Sequence, residues 1–101
     1  MAWKLSPIFK YTVRGNSMEP TFFEGDSVIV NRLAYLFKKP KKNDVIILKY
    51  PKNKKREIMK RIQRVTHKSY FLVGDNVIQS TDSRHFGLVQ KESIIGKVTE
   101  N

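Results

Sequence analysis

The sequence predicts an all-β domain, a sheet or partly open barrel with little helix, and three observations predict it. Short runs of β-branched and aromatic residues recur between Gly, Pro, Asn and Asp punctuation, as in Val45-Ile46-Ile47-Leu48 and Tyr70-Phe71-Leu72-Val73. No segment carries a long apolar stripe at helical spacing, and no repeat or low-complexity tract interrupts the pattern. The 101 residues are 40% hydrophobic, which suits one modest globular core and leaves no room for a second. We read an N-terminal segment over 1–12 and one domain over 13–101.

Each element follows from its local chemistry. Phe9 to Val13 is a first strand. A connector from Gly15 to Asp26 follows, in which Gly15 can take φ > 0, Pro20 fixes its own φ and drives Glu19 extended, and Gly25-Asp26 is a turn pair. Ser27 to Val30 is a second strand. Arg32 to Phe37 reads either as one helical turn or as irregular extended chain, and Pro40 and Asn43-Asp44 punctuate what comes after. Val45 to Tyr50 opens with an unbroken apolar run, which predicts a strand buried on both faces. Pro51 to Arg56 reads as a basic turn into a strand over Glu57 to Val65. That strand turns around His67-Lys68-Ser69 into Tyr70 to Val73, and Gly74-Asp75-Asn76 ends it. A polar loop runs on to Gly87, and Ser93 to Val98 closes the chain as a last strand.

Three of these stretches carry chemistry. Ser17 sits on the shaped connector, where a hydroxyl is presented; alone, it reads as an ordinary surface turn. Lys60 gives it meaning. Alternation along a strand puts Ile58, Lys60 and Ile62 on one face and Met59, Arg61, Gln63 and Val65 on the other. A lysine between two β-branched apolar neighbours is desolvated, which disfavours its charged form. An ordinary lysine near pKa 10.4 is no base at neutral pH, whereas one lowered by about 2–3 units is, and a serine activated by such a lysine is a known nucleophile–base pair. The competing outcome is a lysine that snorkels to water. In the polar loop, Asp82 and Arg84 can make a bidentate contact that holds the loop's shape, against the plainer reading of a weak surface pair.

Charge is the strongest global deviation, with 20 Lys and Arg against 9 Asp and Glu for a net +11. Two clusters concentrate it, Lys38-Lys39-Pro40-Lys41-Lys42 and Lys52-Asn53-Lys54-Lys55-Arg56. Both fall at expected turns, so solvated basic loops are the default, with anionic lipid and nucleic-acid phosphate as the partners such clusters attract. Aromatic residues do not interleave with them in a stacking pattern, which counts against nucleic acid. Trp3, Ile8, Phe9, Phe22 and Phe23 could form an apolar rim for an anionic membrane surface, or simply pack the core. No apolar run nears the roughly 18–20 residues a bilayer requires, and Met1 to Lys10 is too short and interrupted for a signal peptide. The expected location is cytoplasmic or peripheral to a membrane. Without cysteine there are no disulfides and no thiolate metal sites.

Three stretches resemble the signature boxes of the type I signal peptidase family, serine proteases with a Ser/Lys dyad that remove N-terminal leader segments. "GNSMEPTFFEGD" resembles the nucleophile box, "IMKRIQRV" the lysine box and "GDNVIQSTDSRHFG" the last box, in the family's order. "NRLAYLFKKPKKNDVIILKYP" is similar to its connecting segment. The resemblance runs from about Val13 to Val98 and implies an all-β fold of the signal-peptidase and repressor type. It implies that Ser17 attacks the scissile carbonyl while neutral Lys60 takes its proton, that Ser80 hydrogen-bonds and aims the amine, and that Asp82 and Arg84 clamp the loop. It further implies one oxyanion donor at the Ser17 N–H, a precursor protein bound as an added extended strand, and no metal or cofactor.

The chain also departs from the family pattern. Many members carry membrane-spanning helices, which are absent here. Gly15 stands where some members place the Ser or Thr that completes the oxyanion hole, leaving Asn16 as the candidate second donor. Asn43 replaces a usual Gly before Asp44, at a position expected to accept φ > 0. The short form with "STDSRHFG" is similar to the maturation proteases of nickel-type superoxide dismutase. Three rival readings stand beside this one: a self-cleaving repressor-type peptidase domain, a Ser–His–Asp hydrolase using His85 and Asp82, and a non-enzymatic basic module that binds nucleic acid or a membrane surface.

Overall fold

Seven strands form one antiparallel sheet in a computed structural model that describes residues 7–100. In chain order they are β1 (Ile8–Thr12), β2 (Ser27–Asn31), β3 (Val45–Tyr50), β4 (Asn53–Thr66), β5 (Ser69–Val73), β6 (Val89–Gln90) and β7 (Ile94–Glu100). Their spatial order is β1-β2-β7-β3-β4-β5-β6, and the sheet stays open. Among the described residues, helix is limited to α1 (Ser83–Phe86) and a 3-10 turn over Lys91–Ser93. The all-β class and the scarcity of helix agree with the sequence reading.

The centre of the sheet is the β3–β4 pair, where Ile46 faces Lys60, Ile47 faces Met59 and Leu48 faces Ile58. The unbroken apolar run of β3 is buried on both faces, as its composition predicts. Val45 and Ile47 join Met59, Val28, Val30, Val13, Met18 and Phe22 in one cluster. Ile46 and Leu48 join Ile58, Ile62, Leu72, Tyr70, Val89 and Tyr35 in the other. The predicted alternation along β4 therefore holds through its buried stretch, with Ile58 and Ile62 on one side and Met59 on the other.

Register shifts interrupt the β2–β7, β3–β4, β3–β7 and β4–β5 ladders. Such irregularities bend a strand and increase its local twist. The sheet curls enough that β1, at its edge, and β4, well inside it, line a single cleft of about 830 Å³.

Several boundaries differ from the sequence reading. The basic turn is confined to Pro51-Lys52, and β4 begins at Asn53, which pairs with Tyr50. Asn53 to Arg56 are all exposed, so no alternation was present to mark them as strand. The polar loop after Gly74 contains α1, whose turn is set by a capping box: the Asp82 side chain accepts from the backbone of the first turn and the His85 side chain accepts from the Asp82 N–H. Arg32 to Phe37 is a hydrogen-bonded turn followed by bends, with the Leu36 N–H donating to the Leu33 carbonyl at 3.2 Å. Asn43 has φ 79°, the left-handed conformation expected there. Of the suggested apolar rim, Phe22 is buried in the core and Phe9 packs against it, while Ile8 and Phe23 are about half exposed. Trp3 lies outside the described residues.

Candidate active site

The connector after β1 is tied at its neck. The Val13 N–H donates to the Asp26 carbonyl at 2.8 Å and the Gly25 N–H to the Val13 carbonyl at 2.9 Å, with Gly15 and Gly25 at φ 73° and 94°. Such angles suit glycine, and they let the chain reverse within a short loop. Inside the loop, the Thr21 and Phe22 N–H groups both donate to the Met18 carbonyl at 2.9 Å. Met18, 1% exposed, and Phe22 plug this turn into the first core cluster. Ser17 is thereby fixed beside a buried anchor.

A second segment grips the same loop. The Asn76 N–H donates to the Ser17 carbonyl at 2.8 Å, and the Asn76 side chain donates to the Asn16 carbonyl at 3.1 Å. Thr21 Oγ1 donates to the Asp75 carboxylate at 2.6 Å, and that carboxylate also takes Arg61 Nε and Nη2, each at 2.8 Å. Gly74 leaves no space for a side chain, since a Cβ there would sit 2.6 Å from the Ser17 carbonyl oxygen and collide with Ser80 Oγ. Burial acts to raise the Asp75 carboxyl, but the hydrogen bonds from Arg61 and Thr21 and the Arg61 charge hold it below its ordinary value.

Lys60 reaches this loop from β4. Its Nζ hydrogen-bonds Ser17 Oγ at 2.9 Å, and the side chain is 5% exposed. Among the described residues it forms no ion pair. Burial pushes the amine down from 10.5 to about 8; the Asp82 charge opposes this and the Arg56 charge adds to it. Roughly a tenth of such amines are neutral at neutral pH, compared with well under a thousandth for an ordinary lysine. A neutral amine at hydrogen-bond distance from a hydroxyl can accept its proton.

Asp82 and Arg84 meet as the sequence suggested. Arg84 Nε and Nη2 lie 2.9 Å and 3.0 Å from the two Asp82 oxygens, and Arg84 Nη2 also donates to the Val77 carbonyl at 2.7 Å. The carboxylate is fully buried and accepts further from the Gly74 N–H at 3.0 Å and the Arg84 N–H at 3.1 Å. Burial pushes this carboxyl up, and these donors more than offset it, so it stays below the ordinary range. Ser80 Oγ is buried against the Gly74 backbone and has no hydrogen bond to the lysine amine or to any other described group, although it stands close enough to Asp82 to help hold that carboxyl down. His85 is 53% exposed with Nδ1 occupied by the Asp82 N–H at 3.3 Å, and it makes no hydrogen bond to Ser17. No described carbonyl or side chain takes the Ser17 N–H, and the Asn16 side-chain amide is likewise unengaged.

Sequence reasoning singled out Ser17, Lys60, Asp82 and Arg84, and the fold brings them to one place. It missed Met18, Arg61, Asp75, Asn76 and Thr21. Asp75 and Asn76 were visible only as a strand end, because their partners lie 14 and 54–60 residues away.

The sequence profile of the family described as signal peptidase, peptidase S26, matches residues 2–63 and 62–100. The chain is 29% identical to signal peptidase I V of Bacillus subtilis (strain 168) over 139 aligned residues, covering 89% of this chain and 83% of that protein. It is 46% identical over 52 residues to signal peptidase I of Aquifex aeolicus (strain VF5), covering 52% of this chain and 20% of that protein. It is 35% identical to the mitochondrial ATP-independent inner membrane protease subunit 1a of Arabidopsis thaliana, covering 84% of this chain and 64% of that protein. The chain thus spans a fifth of the Aquifex protein and just under two thirds of the Arabidopsis one.

Proposed function

The chain belongs to the signal peptidase family, peptidase S26, and from that membership we propose that it is a serine endopeptidase removing an N-terminal signal or leader segment from a precursor protein. The observation that carries this reading is the 2.9 Å contact between Ser17 Oγ and a buried lysine amine that forms no ion pair among the described residues. Neutral Lys60 takes the Ser17 proton as Oγ attacks the scissile carbonyl carbon. The oxyanion that forms is met by the Ser17 N–H, with the Asn16 amide as second donor. The Lys60 ammonium then passes its proton to the leaving amine nitrogen, the C–N bond breaks and an ester remains on Ser17. Water, deprotonated by the same amine, hydrolyses that ester and frees the serine.

The remaining residues position this pair. Ser80 aims the Lys60 amine: its Oγ is buried beside the Asp82 carboxylate, makes no hydrogen bond among the described residues, and is available to turn to the amine. Asp82 and Arg84 hold the loop that carries Ser80. The precursor binds as an extended strand in the cleft, where β1 is the last strand of the sheet and β4 pairs with β5 only from Arg61 onward. From Phe9 on in β1, and before Arg61 in β4, these edges pair with no other described strand and offer backbone groups to an added one.

Incubating the chain with leader-bearing precursors and reading the products by mass spectrometry tests this. Cleavage at one site, lost in both Ser17→Ala and Lys60→Ala, is expected; cleavage that survives either substitution rejects the mechanism. Peripheral contact with anionic bilayer through Ile8, Phe23 and the basic clusters belongs to the same proposal. Co-sedimentation with anionic liposomes no stronger than with neutral ones would reject that part.

A further inference from the structure

The cleft leading to Ser17 is cationic on both walls. Lys10 and Arg14 approach from β1 and the chain just beyond it, Arg32 from the turn after β2, and Lys55 and Arg56 from the exposed half of β4; all five line the cleft and all are exposed. Glu57 is the one acidic side chain among the lining residues. None of the five cations forms an ion pair among the described residues, because the carboxylate contacts go to Arg61, Arg84, His85 and Lys97.

Two of the five are fixed in place. The Arg32 guanidinium lies 4.4 Å from the ring centroid of Phe9, and that of Arg56 lies 5.3 Å from the ring centroid of Tyr50. Both rings line the cleft themselves. A guanidinium laid on a ring keeps its N–H edge free and oriented for a planar carboxylate, and it loses less freedom on binding than a mobile lysine. Like charges gathered around one concavity repel each other and raise the local concentration of anions. The missing counter-charge is therefore expected from whatever fills the cleft.

A nucleic acid fits this poorly, since two of the three rings that line the cleft, Phe9 and Tyr50, are already covered on one face by arginine. An extended peptide fits well, since the space is bounded by the edges of β1 from Phe9 on and of β4 before Arg61, which pair with no other strand among the described residues, and ends at the Ser17–Lys60 contact. We propose that the substrate stretch lying between β1 and β4 carries acidic side chains, and that Arg32 and Arg56 select for them from opposite walls. This rests on the peptidase reading above and names the substrate class of the same site.

The test is a set of otherwise identical leader peptides carrying Asp or Glu, Asn or Gln, or Lys at each position of the stretch that fills the cleft. Cleavage by the unaltered chain should favour the acidic peptide over the neutral one by about tenfold in kcat/KM at one or more positions, with the lysine peptide poorest and the ratio shrinking as salt rises. In Arg32→Gln and Arg56→Gln the ratio of acidic to neutral cleavage, measured within each variant, should fall towards one. Equal Ser17-dependent cleavage of acidic and neutral peptides would overturn this inference and leave the peptidase reading standing. A preference that persists in both variants would overturn its assignment to these arginines. Failure to cleave any peptide in a Ser17-dependent way would overturn the reading beneath it.

Discussion

The two faces of β4 carry neighbouring cations with different tasks. On one face Lys60 lies among Ile46, Ile58 and Ile62, hydrogen-bonds only a serine hydroxyl among the described residues, and is pushed by burial to about 8. On the other, Arg61 meets the Asp75 carboxylate through two nitrogens and the Asn43 carbonyl at 2.9 Å, and the Asp75 hydrogen bond raises it beyond its ordinary value. Both are partly or wholly removed from water; what separates them is a carboxylate within reach. One cation stays a permanent brace and the other is kept able to lose its proton. The brace serves the titrating group, because Asp75 also holds Thr21 on the loop that presents Ser17.

The sharpest way to break this contrast is to remove the titrating side. Ser17→Ala and Lys60→Ala should each lower kcat/KM on the order of 10⁴-fold or more, as loss of a nucleophile or base does elsewhere. His85→Ala should stay within a few-fold, because its ring caps α1 instead of facing the serine. Full activity after Lys60→Ala would dissolve the comparison.

Removing the brace should do less to chemistry and more to stability. Asp75→Asn leaves Arg61, 28% exposed, without its counter-ion, at a cost of about 2–3 kcal/mol in denaturant unfolding and at least about tenfold in kcat/KM. The Asp75 carboxyl is depressed in the folded state, so its contribution is present above about 3.8 and lost as pH falls through the lower folded value. The gap between the chain and Asp75→Asn should close in acid; a gap that persists there would place the effect elsewhere.

How much of this contrast was legible in the sequence depends on range. Alternation around Ile58, Lys60 and Ile62 offered a desolvated amine with a snorkelling lysine as its competitor, and the apolar run of β3 was enough to predict burial on both faces. The Asp82–Arg84 contact spans two residues and could be read directly. Arg61 and Asp75 could not, because strand parity gives a face but not the loop that folds across it. The polar start of β4 was hidden for a different reason, since a strand wet on both faces has no pattern. Met18, the anchor of the Ser17 loop, looked like one apolar residue in a turn until the core around it was seen.

A smaller effect sharpens the energetics. Holding Lys60 near 8 instead of 10.5 disfavours its protonated form in the folded state. The cost is full below about 8 and disappears as pH rises from there to 10.5. Lys60→Met should therefore be inactive yet more stable by about 2 kcal/mol at neutral pH, after allowing for the lost hydrogen bond, with the gain fading through that window. No gain at neutral pH would mean the amine is better solvated than its burial implies.

The most direct test is to follow the Lys60 amine itself, through the Cε resonance of labelled lysine, alongside the pH dependence of kcat/KM. Burial of the amine predicts one transition near 8 in the resonance, absent in Lys60→Met. It predicts an acidic limb in kcat/KM at the same pH, rising about tenfold per unit below it. A resonance that titrates at the ordinary value of a solvated lysine, together with a flat activity profile from about 5 to 9, would contradict it.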